Sequence, residues 1–234
     1  MLFRSKHFAP NAALQSALTD PVCGLNMGQT AEVLARKFGI SRERQDAFAL
    51  ASNHKVIASR EKLREEMMTV FLPPKYDKFA QDDNGARENQ TIEMLAKLKP
   101  VFDRRSGTVT AGNSSQITDG DCALLLMPEE KAKAMGYEIL GTIAAYDYAG
   151  LEPSEMGLGP VFAMRKVLKR AGLTLKDIQL FEINEAFAVQ VLACLDALAC
   201  KKFSEEHFGE SQPVGELDPS LLNVNGGGIA LGHP

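Results

Sequence analysis

The chain has 234 residues, 45% hydrophobic and 24% charged, which excludes a disordered, collagenous or low-complexity protein and allows one large domain or two modest ones. Its 26 Lys and Arg against 30 Asp and Glu give a formal charge of -4, with no basic block to favour sequence-independent nucleic-acid binding. No apolar run approaches the roughly 20 residues of a membrane span, and MLFRSKHFAPNAALQ lacks the apolar stretch of a secretory signal, so a cytoplasmic setting is expected.

Residues 1–27, punctuated by Pro10, Pro21 and Gly24, are expected to be irregular. Met27 opens a helix to about Lys37, closed by Gly39 at the position that favours a left-handed residue. Ser41 is expected to cap a longer helix reaching about Leu63, with Ala47, Leu50, Ala51, His54 and Ile57 as its apolar stripe. Met67–Leu72 reads as a strand ending at Pro73-Pro74. Residues 76–91 are a polar excursion carrying Arg87. A short helix over 91–98 and a Gly-, Ser- and Thr-rich loop to Gly120 follow.

The texture changes after Gly120. Cys122–Met127 is wholly apolar, as strands buried on both faces are, and Glu138–Tyr146 and Ile178–Ile183 also read as strands. Helices are expected over 128–135, from Gly159-Pro160 to Ala171, and over 185–199. Strands alternating with helices indicate α/β architecture, with a boundary near 118–121.

Several familiar chemistries are absent. There is no G-x-x-x-x-G-K-[ST] phosphate loop and no G-x-S-x-G elbow, and the glycines from Gly226 do not complete G-x-G-x-x-G, since Leu231 stands last. Cys23, Cys122, Cys194 and Cys200 include no C-x-x-C pair, so a structural metal is not expected and all four read as free structural thiols. Two polar residues stand out. Asn184 follows a strand, at the end where open α/β sheets place ligands, though the same residue could simply cap the next helix. His233 follows a glycine-rich turn, which suits either a reactive imidazole or a structural one.

Taken together these segments resemble the thiolase family of acetyl-CoA acetyltransferases and 3-ketoacyl-CoA thiolases. The resemblance is carried in order by Met27-Gly28-x-Thr30-Ala31-Glu32, Arg44-Gln45-Asp46-Ala47-Phe48-Ala49 and Lys97-Leu98-Lys99-Pro100-Val101-Phe102. It continues through Gly107 to Ser115, Asp119-Gly120, Met156-Gly157-x-Gly159-Pro160, Asn184-Glu185-Ala186-Phe187-Ala188 and Asn225-Gly226-Gly227-x-x-Ala230-x-Gly232-His233-Pro234. The longer stretch over 200–221 is similar to the fatty-acid-oxidation thiolases. Asn26 and Gln116 depart from common family residues, which bears on acyl and thioester preference.

The resemblance implies a layered αβαβα architecture, incomplete here, with an inserted α+β lid. The implied division is a lid over 1–118, the last strand and helix of the N-terminal half over 119–137, and the first part of the C-terminal half over 138–234. It implies acyl transfer between coenzyme A thiols, with coenzyme A or acyl-CoA as substrate and no permanently bound cofactor. In that reading His233 activates the nucleophile and binds a thioester oxygen, and Asn184 holds the water that completes the oxyanion site. Arg87 would lie near the adenine and phosphates, Ala111, Gly112 and Ser115 would hold the pantetheine arm, and Leu18, Met27, Phe102, Met156 and Phe187 would form its apolar walls. None of the four cysteines matches a catalytic position of the family, so the chain alone is expected to be inactive, a coenzyme A-binding fragment being the alternative. A homo-oligomer is implied at full length.

Overall fold

The computed structural model describes residues 13–234; the part of the irregular-terminus expectation that covers residues 1–12, and the leader expectation with it, lies outside the described residues. Within the supposedly irregular stretch a short helix forms, α1 (Ala13–Ala17), followed by a turn in which Asp20 Oδ1 accepts from the Val22 and Cys23 amides at 2.8 and 3.0 Å.

Helix α2 (Met27–Phe38) is capped reciprocally. Asn26 Oδ1 accepts from Gln29 N at 2.9 Å while Gln29 Oε1 accepts from Asn26 N at 3.0 Å, and Gly39 closes the helix in the left-handed region. Its buried Ala31, Leu34 and Ala35 pack against α8 (Ala188–Ala199), whose residues from Ala188 to Cys194 are all buried. Val109, Leu158, Val161 and Phe203 complete this core, the last from α9 (Lys201–Phe208). Each fully buried Leu or Val here contributes about 1.5–3 kcal/mol. A second cluster joins Val191 of α8 to Leu168 of α7 (Gly159–Ala171) and to Leu175, Phe181, Ile183, Leu217 and Leu222.

Helix α3 (Arg42–Ala58) starts at Ser41 as expected, with α4 (Arg60–Arg64) continuing beyond a break at Ser59. The stripe assigned to its inner face is overturned. Ala47, Ala51 and His54 are exposed, and the buried face is Gln45, Asp46, Ala49, Ser52, Asn53 and Val56. The reason is hydrogen bonding: each buried polar side chain on this face has a partner in another segment, and a partnered amide or carboxylate can be buried where an unpartnered one cannot.

The strand expectations fare unevenly. Residues β1 (Val70–Leu72) and β2 (Lys78–Ala80) pair antiparallel, Phe71 opposite Phe79, as a hairpin exposed on both faces. The short helices α5 (Ile92–Ala96) and α6 (Glu129–Ala134) fall where helices are expected. Cys122–Met127 and Glu138–Tyr146, however, form no strand, and Ile178–Ile183 contributes only an isolated bridge between Phe181 and Leu222. Leu124, Leu125 and Leu126 are exposed, as are Leu140 and Ile143, and the thiol of Cys122 is exposed rather than buried. A strand requires a neighbour to complete its ladder. Among the described residues no strand pairs with these apolar segments.

Candidate functional site

Three segments, each fixed by buried polar side chains, meet at one apolar cavity. The first is the loop from Thr108 to Ser115. Glu32 of α2, buried, accepts from the amides of Thr108 and Val109, both at 2.9 Å. Gln45 Nε2 donates to Thr108 Oγ1 at 2.9 Å, and Asp46 accepts from Asn113 Nδ2 at 2.9 Å and from Arg42 Nε at 2.7 Å. Asn113 Oδ1 in turn accepts from Thr110 N at 2.8 Å. The loop then runs beside residues 186–188: Ser115 N donates to Ala186 O and Ala188 N to Asn113 O, both at 2.9 Å.

The second segment carries Asn184. On one side Asn223 grips the main chain of Ile183, accepting from its amide at 2.8 Å and donating to its carbonyl at 2.9 Å. On the other side Glu185, 1% exposed, accepts from Ser52 Oγ at 2.5 Å, Asn223 Nδ2 at 2.8 Å and Ile229 N at 3.3 Å. Asn184 itself is exposed between two anchored neighbours. The capping alternative is excluded, because α8 begins only at Ala188 and its N-cap residue is Phe187. Glu182 nearby has its carboxyl raised above the ordinary range, first by burial and then by the charge of Glu185.

The third segment runs from Asn225 through α10 (Gly228–Leu231) to His233. Ser52 Oγ accepts from Gly227 N at 3.1 Å, tying the glycine turn to α3. Gly232 has φ 85° and ψ 163°, a conformation open only to glycine, and a Cβ there would stand 2.3 Å from Thr118 Cγ2. This sharp turn presents His233, whose backbone bridges to Ile117 and whose amide donates to Ser115 Oγ at 3.2 Å. His233 Nδ1 lies 3.2 Å from Pro234 O. That contact is a hydrogen bond only in the tautomer that carries its proton on Nδ1.

The cavity these segments enclose holds about 790 Å³ and is mostly apolar. Leu18, Met27, Phe102, Met156 and Phe187 line it, together with Ser115, Asn184 and His233. Phe102 and Phe187 meet edge to face at 5.9 Å. A smaller space of about 380 Å³, bordered by Glu182, Asn184 and the glycines 226–228, adjoins Asn184. Arg87, Ala111 and Gly112 do not line the cavity; Gly112 lies instead against Leu95 and Leu98. Of the residues that hold the site, Ser52, Asn53 and Asn223 were not singled out from sequence, and Glu185 only as part of the resemblance motif at 184–188. Only the polar interruptions of otherwise helical or apolar runs could have signalled them.

None of the four cysteines lines the cavity. Cys194 is sealed in α8, donating to Gly157 O at 3.2 Å, and burial pushes its thiol up to about 12.

The Thiolase, N-terminal domain family matches residues 3–130 and the Thiolase, C-terminal domain family matches residues 137–234. The chain belongs to the thiolase family. It is 48% identical over 222 residues to a 3-ketoacyl-CoA thiolase of Pseudoalteromonas translucida, covering 93% of this chain and 50% of that protein. A 3-ketoacyl-CoA thiolase of a Shewanella species is 46% identical over 223 residues, with the same coverage of 93% and 50%. Among solved structures, the Bacillus anthracis acetyl-CoA acetyltransferase superposes with a TM-score of 0.81 at 38% identity, covering 95% of this chain and 52% of that one. Human mitochondrial 3-ketoacyl-CoA thiolase in complex with CoA gives 0.76 at 39% identity, covering 95% and 51%. This thiolase-family chain thus has the α/β thiolase fold and spans about half the length of the curated relatives it matches. No helix among the described residues is long and apolar enough to cross a membrane.

Proposed function

We propose that the chain serves acyl transfer between coenzyme A thiols, as thiolytic cleavage of a 3-ketoacyl-CoA or the reverse Claisen condensation of acetyl-CoA, within a longer enzyme that acts in the cytoplasm as a homo-oligomer. The observation that carries this reading is the apolar cavity with Asn184 and His233 on its wall. Such a space suits a pantetheine arm and its acyl group, which are long, narrow and mostly apolar. The His233 imidazole, presented on the cavity wall, would take the proton from a nucleophilic thiol. The exposed amide of Asn184, held on both sides, would orient a water as donor to the thioester oxygen as it gains charge. Leu18, Met27, Phe102, Met156 and Phe187 would enclose the arm, Ser115 would fix the loop beside it, and Arg87 would meet the nucleotide end. Ala111 and Gly112 would act through the backbone of the same loop. The division at 118 and 137 follows from the same reading: a lid, then the close of one thiolase half, then the opening of the next.

A second reading, coenzyme A binding without acyl transfer, is favoured by the cysteines, since Cys194 is sealed and Cys23, Cys122 and Cys200 lie away from the cavity. Both are tested by titrating the purified chain with coenzyme A and assaying the same sample with acetoacetyl-CoA plus coenzyme A. Binding with turnover supports acyl transfer, binding without turnover supports the second reading, and no binding overturns both.

A further inference from the structure

Asn53 is 2% exposed, and both ends of its amide are committed to one distant residue. Its Oδ1 accepts from Arg87 N at 2.8 Å and its Nδ2 donates to Arg87 O at 2.7 Å. Burying an amide on a helix face is tolerable only when its groups are paired, and here the pairing immobilises the main chain of an arginine. The side chain of that arginine is left free. Arg87 is exposed and its guanidinium forms no ion pair among the described residues, while the adjacent carboxylate, Glu88, is taken by Arg60 at 2.8 Å. A fixed backbone with an unpaired cation is poorly explained by stability, because an exposed guanidinium adds little to it. It is well explained by an anion that arrives from outside.

The placement of the segment supports this. Two residues earlier, Gly85 comes so close to α10 and Gln116 that a Cβ there would stand 2.3 Å from both Ala230 O and Gln116 Nε2. Gln116 lines the cavity, so the segment that leads to Arg87 passes beside its rim. The residue before Asn53 on α3, Ser52, holds the other end, through Glu185 and the amide of Gly227. Adjacent residues of one helix therefore fix the backbone of Arg87 and the turn that leads to His233. A helix is stiff over this distance, so the two ends cannot drift independently.

We infer that Asn53 is a positioning residue for Arg87. Through the Arg87 backbone it sets the guanidinium at a fixed reach from the cavity, where it meets the phosphates at the nucleotide end of coenzyme A; this rests on the coenzyme A reading above. The test compares coenzyme A with pantetheine, which lacks the nucleotide and its phosphates, by calorimetric titration of the full chain. Asn53→Ala is expected to weaken coenzyme A about 5- to 20-fold, part of what a charge-assisted contact supplies, and pantetheine less than about 2-fold. Arg87→Ala is expected to lose at least as much, and the double variant no more than Arg87→Ala alone. If Asn53→Ala does not fold, Asn53→Ser is read in its place, and amide exchange of Arg87 in the unaltered chain gives an independent reading: it must be slower than that of Glu88 or Asn89. Equal losses for both ligands, additive losses in the double variant, or an Arg87 amide that exchanges freely would overturn the positioning role. If the unaltered chain binds coenzyme A and Asn53→Ala binds it equally well, only this inference fails. If the unaltered chain binds neither ligand, the coenzyme A reading fails and the positioning role falls with it.

Discussion

Replacing Glu185 tests the central claim about the site, that a buried carboxylate fixes the segments around Asn184. Three donors converge on this side chain: Ser52 Oγ and Ile229 N on Oε2, and Asn223 Nδ2 on Oε1. Glu185→Gln keeps the shape and replaces one acceptor oxygen with an NH₂ group. Placed at Oε1, that group faces the donor of Asn223. Placed at Oε2, it faces the Ile229 amide and a hydroxyl that already accepts from Gly227 N at 3.1 Å. Neither orientation escapes a donor–donor contact, so the change should cost about 1–3 kcal/mol, or roughly 2–10 °C in melting temperature for a chain of this size. Glu185→Ala removes all three acceptor contacts and opens a hole, and should cost about 3–5 kcal/mol. Ser52→Ala removes one donor and should cost about 1 kcal/mol, with less than additive loss when combined with Glu185→Gln. Thermal and urea unfolding followed by circular dichroism would measure the series. A Glu185→Gln variant within 0.5 kcal/mol of the unaltered chain, on the scale of an ordinary surface change, would refute the argument that these donors depend on a carboxylate.

Maleimide labelling at pH 8, read by mass spectrometry, should modify Cys122 and Cys200 quickly and Cys194 about 1000-fold more slowly, because a thiol pushed up to about 12 holds almost no thiolate there; comparable rates would show that α8 does not seal it. Gly232→Ala forces a Cβ into a glycine-only conformation and against Thr118, and should cost about 1–3 kcal/mol while shifting the His233 ring resonances; an unchanged spectrum would mean the turn is not what aims the imidazole. The raised carboxyl of Glu182 binds its proton more tightly folded than unfolded, so its ionisation opposes folding once the pH rises through its unfolded value. Glu182→Gln should therefore raise the unfolding free energy slightly at pH 7, by less than about 0.5 kcal/mol, and not at pH 3; a gain at pH 3 alone would have the sign wrong.

Which features the sequence announced follows from the range of the interaction behind each. Gly39 and Ser41 act on residues within one turn of themselves, and the helix ends they mark lie where expected. The resemblance motifs also named residues that share one cavity wall, such as Met27, Met156 and His233, although 206 positions separate the first from the last. Periodicity failed on α3 because it scores apolarity, while this helix buries Gln45, Asp46, Ser52 and Asn53, whose partners lie 34 to 133 residues away along the chain. It failed on Cys122–Met127 and Glu138–Tyr146 for another reason. The composition is that of a buried strand, but a strand is a relation between two segments, and among the described residues these have no second one.

Anchoring accounts for the burial of Glu32, Asp46, Asn53, Glu185 and Asn223 beside the exposed Asn184 and Arg87. An apolar cavity wall can exclude water but cannot hold an amide or an imidazole in one orientation, since dispersion contacts have little direction. Direction comes from hydrogen bonds, and these are stronger and less easily exchanged where solvent is kept out. Glu32, Asp46, Asn53, Glu185 and Asn223 are all buried or nearly so, and each binds backbone groups or a side chain on another segment. Asn184 and Arg87 are exposed, and each follows from such an anchor: Asn184 sits between Ile183 and Glu185, and Arg87 hangs from Asn53. A polar-to-apolar exchange at an anchor such as Asn53 would thus loosen an exposed residue by releasing its main chain, not its side chain. The same exchange at a cavity wall residue such as Met156 would change the shape of the space and leave the orientation of Asn184 and His233 intact.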